Sequence, residues 1–293
     1  MKKTFFPEEF IEKYSSFLGR EWDEFFETIK RKQPKSVWIN SNKSDLDEVE
    51  QKLKEKDIVF RKHSFSTLAL GIEMARPSEL ELFKEGKISS QEKASILPVI
   101  ALAPEKTDFV LDACAAPGTK TIQLSNLSGR VIATEVNSER VKSLYYNKKK
   151  FGLENVEVKR TDVRNLKEKF DKILLDTPCS SEGLVRKKRD ALKGWSQKLV
   201  ERKATIQKEL ILHCFDLLKE KGELVYSTCS FAKEEDEDVV NYLLEKRKNA
   251  IVEKVILEGI KIRENGLCKN CVRLYPQDND TQQFFLAKIK KSS

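Results

Sequence analysis

Two cysteines lie in short polar turns where a thiolate could act on a bound substrate. Cys179 lies in the run DTPCSS (residues 176–181), and Cys229 lies in STCS (residues 227–230). Each run follows a segment whose apolar composition predicts a buried strand. A single cysteine is usually a small buried hydrophobe. Two cysteines at matching strand ends favour chemistry instead, because a thiolate is a strong nucleophile.

A third turn, DACAAPGTKT (residues 112–121), has the composition of a nucleoside-binding loop. Its small residues let a ligand approach the backbone, and the helix that follows offers free N–H groups. Glu135 comes 23 residues after Asp112, where an acid can accept hydrogen bonds from ribose hydroxyls. Asp162 and Asp176 follow the next two predicted strands. Since the loop lacks a three-glycine phosphate cradle, it favours S-adenosylmethionine over a dinucleotide.

Strands and helices alternate from residue 108 onward. The predicted strands are 108–113, 131–134, 156–159, 172–176, 223–227 and 284–289, and the predicted helices are 119–126, 138–151, 197–219 and 234–246. This alternation predicts an α/β fold with a mostly parallel sheet covered by helices. Ligands bind at the carboxyl ends of such strands, which is where the three turns lie.

The first third of the chain has a different pattern. Aromatic residues at helical spacing predict a helix over residues 8–32 that ends before Pro34, and we expect these aromatics to pack in a core. A strand at 36–40, a helix from Ser44 or Asp45 to about 56 and a strand at 58–60 follow. This order predicts a small α+β domain.

Paired cysteines beside a nucleoside-like cofactor suit methylation of carbon 5 of cytosine. Carbon 5 is a poor nucleophile, but a thiolate that adds to carbon 6 makes it enamine-like and able to attack a methyl sulfonium. The pKa of that thiol must be lowered, or a base must lie nearby. A second cysteine could assist release of the product, and Asp176 could hydrogen-bond the N3 and N4 edge of the base. The residues alone do not decide which cysteine attacks.

The runs DACAAPGTKT, DTPCSSEG and YSTCS resemble the cofactor, Pro-Cys and Thr-Cys motifs of the NOL/NOP/Sun (RsmB-type) family of RNA cytosine-C5 methyltransferases. Flanking segments extend the resemblance over roughly residues 36 to 290. It implies a class I methyltransferase (Rossmann-like) fold with a mostly parallel seven-stranded sheet, helices on both faces, and S-adenosylmethionine as the cofactor. It also implies three regions, an N-terminal α+β RNA-binding region (1–75), a connecting helical segment (76–105) and a catalytic domain (106–293).

The resemblance also implies a division of labour. Cys229 would be the nucleophile and Cys179 would help release the product, with Asp176 and Lys120 supporting catalysis. The implied cofactor residues are Cys114, Ala115, Ala116, Pro117, Gly118, Thr119, Lys120, Glu135, Arg140, Asp162 and Asp176. Five positions depart from the usual family residues, which leaves the shape of the substrate pocket open. They are Thr119, Ser181, Gln277 and the pair Gln282–Gln283.

RNA is the expected partner. The formal charge of +8 and the pI near 9.0 fit a polyanion, although a thermally robust charged surface would also explain them. The run Arg186, Lys187, Lys188 and Arg189 follows the Pro-Cys turn and is predicted to contact phosphates. The compact chain is similar to archaeal tRNA-modifying members, which favours tRNA. We expect a cytoplasmic monomer, since no apolar run reaches the ~18 residues of a membrane span and no signal peptide is evident.

Other interpretations stay open at this point. Ribosomal RNA is the alternative substrate, and a non-catalytic RNA-binding assembly factor is the alternative function. DNA cytosine methylation would not need Cys229, and amino-group methylation usually places an Asp- or Asn-Pro-Pro-aromatic run after the fourth strand. Cys268 and Cys271 have the Cys-x-x-Cys spacing that supplies two of the four ligands of a zinc site. No second ligand pair lies nearby in the sequence, so we expect no metal.

Overall fold

The N-terminal third forms a four-stranded antiparallel sheet. The computed structural model describes residues 6–292, apart from the side chain of Arg189. The elements of this part are α1 (Glu8–Leu18), α2 (Trp22–Ile29), β1 (Lys35–Ile39), α3 (Leu46–Lys54), β2 (Phe60–His63), β3 (Ser66–Ile72), α4 (Glu81–Lys84) and β4 (Ile88–Gln91). The strand order is β2-β3-β1-β4. The predicted small α+β domain is therefore present, with two strands, β3 and β4, that the sequence patterns did not predict.

The rest of the chain builds a larger sheet between helices. Its elements are α5 (Lys93–Leu102), β5 (Phe109–Asp112), α6 (Thr119–Leu127), β6 (Arg130–Thr134), α7 (Ser138–Phe151), β7 (Val156–Lys159), β8 (Phe170–Asp176), α8 (Gln197–Asp216), β9 (Leu218–Thr228), α9 (Glu237–Lys246), β10 (Ala250–Glu253), β11 (Val272–Leu274), α10 (Pro276–Asn279) and β12 (Phe284–Lys291). Within residues 6–292, no helix is long and apolar enough to cross a lipid bilayer.

The strand order of the larger sheet is β10-β12-β9-β8-β5-β6-β7, and β11 adds an eighth strand beside β12. Five strands, β9, β8, β5, β6 and β7, run parallel to one another. Strand β12 runs antiparallel to its neighbours β9 and β10. The predicted fold class, a class I methyltransferase sheet with a small N-terminal domain, is confirmed. The carboxyl ends of β5, β6, β8 and β9 lie side by side at one edge.

Alternation along the central strands explains why helices cover both faces. Val110 and Leu174 point into a core cluster with α5, α6 and α7. Their neighbours Leu111 and Ile173 point into a second cluster with α8 and α9. Strands that are buried on both faces read as continuous apolar runs, and this is how the sequence revealed them.

The single N-terminal helix predicted for residues 8–32 is two helices. Gly19 ends α1 with a φ of 53°, a conformation that favours glycine, and a short 3-10 turn leads into α2. The aromatic residues pack as predicted, but against loops of the larger domain. The Phe10 ring lies 5.5 Å from the Trp195 ring and 5.9 Å from the Phe231 ring. These helices therefore support segments that flank the cysteine turns.

Hydrogen bonds fasten the small sheet to the large domain. The buried Trp38 of β1 donates its indole N–H to Asn126 Oδ1 of α6 at 2.8 Å. Gln91 of β4 donates to the carbonyl of Thr119 at 2.8 Å, at the start of the same helix. The segment 76–105, predicted as a helical connection, thus supplies α5 to the large domain and β4 to the small sheet. The small sheet is fixed relative to the loop that precedes α6.

Removing the Trp38 side chain should uncouple this junction. We expect Trp38→Ala to lower the free energy of unfolding by about 3–5 kcal/mol, since it leaves a large cavity between the sheets. Trp38→Phe should lose about 1–2 kcal/mol, because Asn126 then keeps an unpaired buried oxygen. Urea unfolding curves measure both losses, with the exposed Val59→Ala as the control at under about 0.5 kcal/mol. Equal curves for all three variants would contradict the coupling.

Candidate active site

Cys179 and Cys229 meet at the edge of the sheet. Strands β8 and β9 are parallel neighbours, and Asp176 at the end of β8 pairs with Ser227 of β9. The Pro-Cys and Thr-Cys turns therefore leave the sheet side by side. The two sulfur atoms lie 3.1 Å apart, and both thiols are free. The structure thus brings the two predicted cysteines into one site.

A lysine and a carboxylate flank the sulfur atoms. Lys120 Nζ lies 2.6 Å from Asp176 Oδ2 and donates a hydrogen bond to Ser95 Oγ at 3.1 Å. Ser227 donates from its hydroxyl to Asp176 Oδ1 at 2.8 Å. Both carboxylate oxygens are thus held. An ion pair that is largely removed from water keeps a fixed geometry only where such further hydrogen bonds support it.

The surroundings of Cys229 keep its thiol protonated in the free protein. Its pKa is raised well above the ordinary value, first by the hydrogen bond to Cys179 and then by burial. The charge of Asp176 raises the pKa further, and the Lys120 ammonium opposes these effects. A nucleophilic role for Cys229 therefore requires its proton to leave when a substrate binds.

Two buried glutamates hold the cysteine turns together from behind. Glu235 accepts hydrogen bonds from Ser180 N at 2.9 Å and from Ser230 Oγ at 2.9 Å. Glu182 accepts from Phe231 N at 2.8 Å and from Tyr14 OH at 2.8 Å. Glu235 thus links the two cysteine turns directly. Glu182, which follows the first turn, links it to the second turn and, through Tyr14, to α1.

Sequence reasoning missed these glutamates. Glu235 belongs to the acidic run EEDE (residues 234–237), and such a run usually lies in solvent. Here Asp236 and Glu237 are also buried, and both pair with the buried Arg273, at 3.1 Å and 2.6 Å. The only available signal was position, because the run directly follows the Thr-Cys turn.

Glycine is required in the predicted cofactor loop. Gly118 has a φ of 105°, and a Cβ there would lie 2.8 Å from a methyl carbon of Leu144. Ala115 N donates to the Thr134 carbonyl at 2.9 Å, which places the loop beside the end of β6. The loop also holds neighbouring side chains, since the Pro117 carbonyl accepts from Asn147 at 2.7 Å. The backbone of this loop is therefore close to Glu135.

Glu135 presents a carboxylate oxygen that suits a ligand with hydroxyl donors. Its Oε2 is buried and accepts no hydrogen bond from the described residues, although the Arg140 guanidinium lies 3.1 Å away. The same guanidinium donates to the Ala116 carbonyl. A buried carboxylate oxygen that is ion-paired but accepts no hydrogen bond, beside small residues and a helix N-terminus, fits the ribose of a nucleoside cofactor. The residues present therefore fit S-adenosylmethionine.

Asp162 and Cys114 have other contacts. The Asp162 carboxylate accepts two hydrogen bonds from the Arg164 guanidinium, at 3.0 and 2.7 Å, and this pairing lowers its pKa. Cys114 packs against the core cluster that includes α8, and burial raises its pKa. A cofactor base that hydrogen-bonded to Asp162 would share its carboxylate with Arg164. At Cys114, the backbone rather than the buried thiol is the group that a cofactor could contact.

The prediction that Arg186 contacts phosphate is wrong. Its side chain is 1% exposed and pairs with Asp280 at 2.6 Å. It also donates to the Thr281 carbonyl at 2.7 Å and to the carbonyls of Arg31 and Lys32 at 3.3 Å. All of its donor groups are thus used inside the protein.

The other residues of this basic run differ from Arg186. Lys187 and Lys188 are exposed. The side chain of Arg189 lies outside the described part of the structure. The sequence had no means of separating Arg186 from them, because the partners of Arg186 are distant in the chain.

Cys268 and Cys271 lie buried beside each other, away from the cysteine turns. Burial and the shared hydrogen bond raise the pKa of Cys271, while the same bond lowers the pKa of Cys268. Among residues 6–292 no group of three or more His, Cys, Asp or Glu side chains is arranged to hold a metal ion.

The buried Asp112 makes stability depend on pH. Burial raises its pKa from 3.8 to about 7, opposed by the hydrogen bond from Thr121 at 2.6 Å. The folded protein therefore holds this proton more tightly than the unfolded chain. The resulting stabilisation is complete below about pH 4 and is lost as the pH rises through 7.

We expect the wild type to lose roughly 3 kcal/mol more stability than Asp112→Asn between pH 5 and pH 8. Urea unfolding of the protein without cofactor at both pH values measures this difference. Asp23→Asn, on the exposed surface of α2, is the matched control and should follow the wild type. A parallel pH dependence of the wild type and Asp112→Asn would contradict the assignment.

Comparison with known sequences places this site in a family. The family model described as 16S rRNA methyltransferase RsmB/F matches residues 99–290, which include all three turns. A protein named ribosomal RNA small subunit methyltransferase F from Psychromonas ingrahamii is 34% identical over 99% of this chain. A protein of the same name from Aliivibrio fischeri is 35% identical over 92%. The chain spans 64% and 60% of these relatives, respectively.

Solved structures agree on the fold. The structure titled PH0851 has a TM-score of 0.90 and 29% identity, over 97% of this chain and 66% of that chain. The structure of NSun6 from Pyrococcus horikoshii with SFG has a TM-score of 0.88 and 21% identity, over 98% and 99% of the two chains, and shows the fold alone. The family uses S-adenosylmethionine as its methyl donor, which confirms the predicted cofactor. This chain belongs to the RsmB/F family of methyltransferases.

Proposed function

We propose that this protein transfers a methyl group from S-adenosylmethionine to carbon 5 of a cytosine in RNA, through a covalent bond between Cys229 and carbon 6. The observation that carries the proposal is the 3.1 Å separation of the Cys179 and Cys229 sulfur atoms beside Lys120 and Asp176. Two thiols, a cation and a carboxylate at one sheet edge provide the groups that this reaction needs. The target base must be unpaired or flipped out to reach them.

The reaction divides among these side chains. Cys229 gives its proton to a base and its sulfur bonds to carbon 6, which moves the electron pair of the 5,6 double bond toward carbon 5. When bound, S-adenosylmethionine would supply an electrophilic methyl group, to which carbon 5 would bond as the methyl–sulfur bond of the donor breaks. Carbon 5 then loses its proton to a base, the double bond re-forms and the bond between Cys229 and carbon 6 breaks, which returns the cysteine as a thiolate. Cys179, which touches Cys229, is positioned to assist this last step.

Asp176 and Lys120 orient the base and set the local charge. A carboxyl group at Asp176 can hydrogen-bond the N3 and N4 edge of cytosine and favour electron flow into the ring. Lys120 fixes Asp176 and favours the thiolate form of Cys229. The ribose of the cofactor would lie at Glu135, with the loop from Cys114 to Lys120 around it.

The RNA class has two candidates. We propose tRNA, which the resemblance to archaeal tRNA-modifying members of the family favours. Small-subunit ribosomal RNA is the second candidate, favoured by the names of the relatives at 34 and 35% identity. Bisulfite sequencing of total RNA from cells with and without the protein separates the two, because it locates each new 5-methylcytosine.

A non-catalytic assembly factor would need neither cysteine. We therefore expect Cys229→Ala to abolish methyl transfer to RNA, since the thiol assigned to add to carbon 6 is then missing. Cys179→Ala should accumulate a covalent protein–RNA adduct, because the sulfur–carbon bond then breaks slowly. Transfer of a labelled methyl group measures the first outcome, and a denaturing gel measures the second.

The control for these variants is Cys214→Ala, which removes a buried thiol of α8 and should keep turnover. Normal turnover by Cys179→Ala without an adduct would overturn the assigned roles. Unchanged methylation by Cys229→Ala would overturn the nucleophile assignment altogether.

Gly183 keeps the two cysteine turns at their distance. Its N–H donates to the Cys229 carbonyl at 2.7 Å. A Cβ at this position would lie 2.5 Å from that carbonyl oxygen and 2.8 Å from the Gln283 carbonyl oxygen. Neither backbone group can turn aside, so a larger residue must push the turns apart.

We expect Gly183→Ala to slow methyl transfer by about 100-fold, since a shift near 1 Å at reacting groups has this effect. Gly19→Ala is the control, because a side chain at its φ of 53° is strained but nothing lies near its Cβ. It should cost about 1–3 kcal/mol of stability and leave turnover unchanged. Equal turnover of the two variants would show that Gly183 does not set the spacing.

A further inference from the structure

A basic groove separates the small sheet from the segment after the Pro-Cys turn. It has a volume of about 740 Å³ and is lined by residues 32–35, the ends of β2 and β3, and residues 186–187. It lies outside the cofactor loop and the cysteine turns. Its size is within the range of ligand-binding clefts in proteins.

The charges in this groove are largely of one sign. Six Lys and Arg side chains line it, against one acid, Glu73. Three of the six have carboxylate partners at 2.6–3.5 Å. The three for which residues 6–292 provide no ion pair are Lys32, Lys35 and Lys187. Uncompensated cations along one wall attract a polyanion.

The groove adjoins the segment that follows the Pro-Cys turn. Lys187 lines the groove and lies eight residues after Cys179 on this segment. A strand that entered the active site could follow this row of cations outward.

The same groove also has an apolar wall. Phe60, Ile72 and Met74 provide an apolar surface between the cations. Gln33 is buried at this wall, and its side-chain oxygen has no hydrogen-bond partner among the described residues. An apolar surface with an unused acceptor suits a nucleotide base, whose face stacks and whose edge donates.

Arg186 fixes the walls of the groove. By donating to the carbonyls of Arg31 and Lys32, it ties the segment before β1 to the catalytic domain. Its bond to the Thr281 carbonyl anchors the other side. The residue that was predicted to bind phosphate therefore builds the surface on which its neighbour Lys187 is displayed.

We propose that this groove binds the sugar–phosphate backbone and one base of single-stranded RNA next to the target cytosine. The assignment rests on the proposed function for the identity of the polyanion. An acidic protein segment would pair with the cations, but it would contact neither the apolar surface nor the Gln33 oxygen. A single-stranded RNA segment in this groove is consistent with the proposed reaction, because the target cytosine must be unpaired.

The test measures binding of a short, fluorescent single-stranded oligoribonucleotide that contains cytosine to the full chain at several salt concentrations. We expect Lys35→Gln and Lys187→Gln each to weaken binding about fourfold at 0.15 M salt and to reduce the salt slope by about 0.7. The double variant should lose about fifteenfold. Lys248→Gln is the control, because this exposed lysine precedes β10 at the opposite edge of the sheet and should bind as the wild type does.

Cross-linking with the same RNA carrying 4-thiouridine next to the cytosine is the second measurement. Cross-links to Phe60 or Met74 would support the groove, and cross-links confined to other surfaces would overturn it. Wild-type affinity and slope in the double variant would also overturn it, even if methylation of RNA is observed. Weakened binding by the double variant, in a protein that methylates no RNA, would keep the groove and reject the proposed reaction.

Discussion

The parallel pairing of β8 with β9 is the constraint on which the site depends. It sets Asp176 beside Ser227, so two turns that are 50 residues apart in the chain leave the sheet at neighbouring points. The two sulfur atoms are thereby brought to the same edge of the sheet. A slip of one residue in this pairing would turn the alternating side chains to the other face and separate the turns.

Pairing alone does not hold two loops at a 3.1 Å separation, and buried carboxylates do the rest. A carboxylate away from water is costly unless several donors surround it. Glu182 and Glu235 meet this condition by accepting from backbone N–H groups and hydroxyls on both turns. Glu235 accepts from Ser180 of one turn and Ser230 of the other, and Glu182, which follows the first turn, accepts from Ser230 and Phe231, so satisfying each acid also holds the turns together. The active-site geometry is thereby coupled to global folding.

The sequence predicted what is local and missed what is long-range. Cys179 and Cys229 were identifiable because each lies in a short motif directly after an apolar strand, and strand ends in such folds gather at one edge. Glu182 and Glu235 were not, since an acidic residue shows its burial only through partners elsewhere in the chain. The predicted phosphate contact of Arg186 was wrong for the same reason. Its neighbours in sequence are exposed lysines, whereas its partners come from segments about 95 and 155 residues away.

Placement of charge links these separate features. Lys120 is the cation that pairs with the active-site carboxylate among residues 6–292, and its ammonium is shared between Asp176 and Ser95. Binding a polyanion nearby would strengthen the hold on any cation at the site and raise the pKa of an adjacent thiol. In the proposed reaction, the lysines of the groove would offset this effect, because their positive charge partly neutralises the bound phosphates. A basic approach path would therefore favour the proposed thiolate chemistry as well as affinity for RNA.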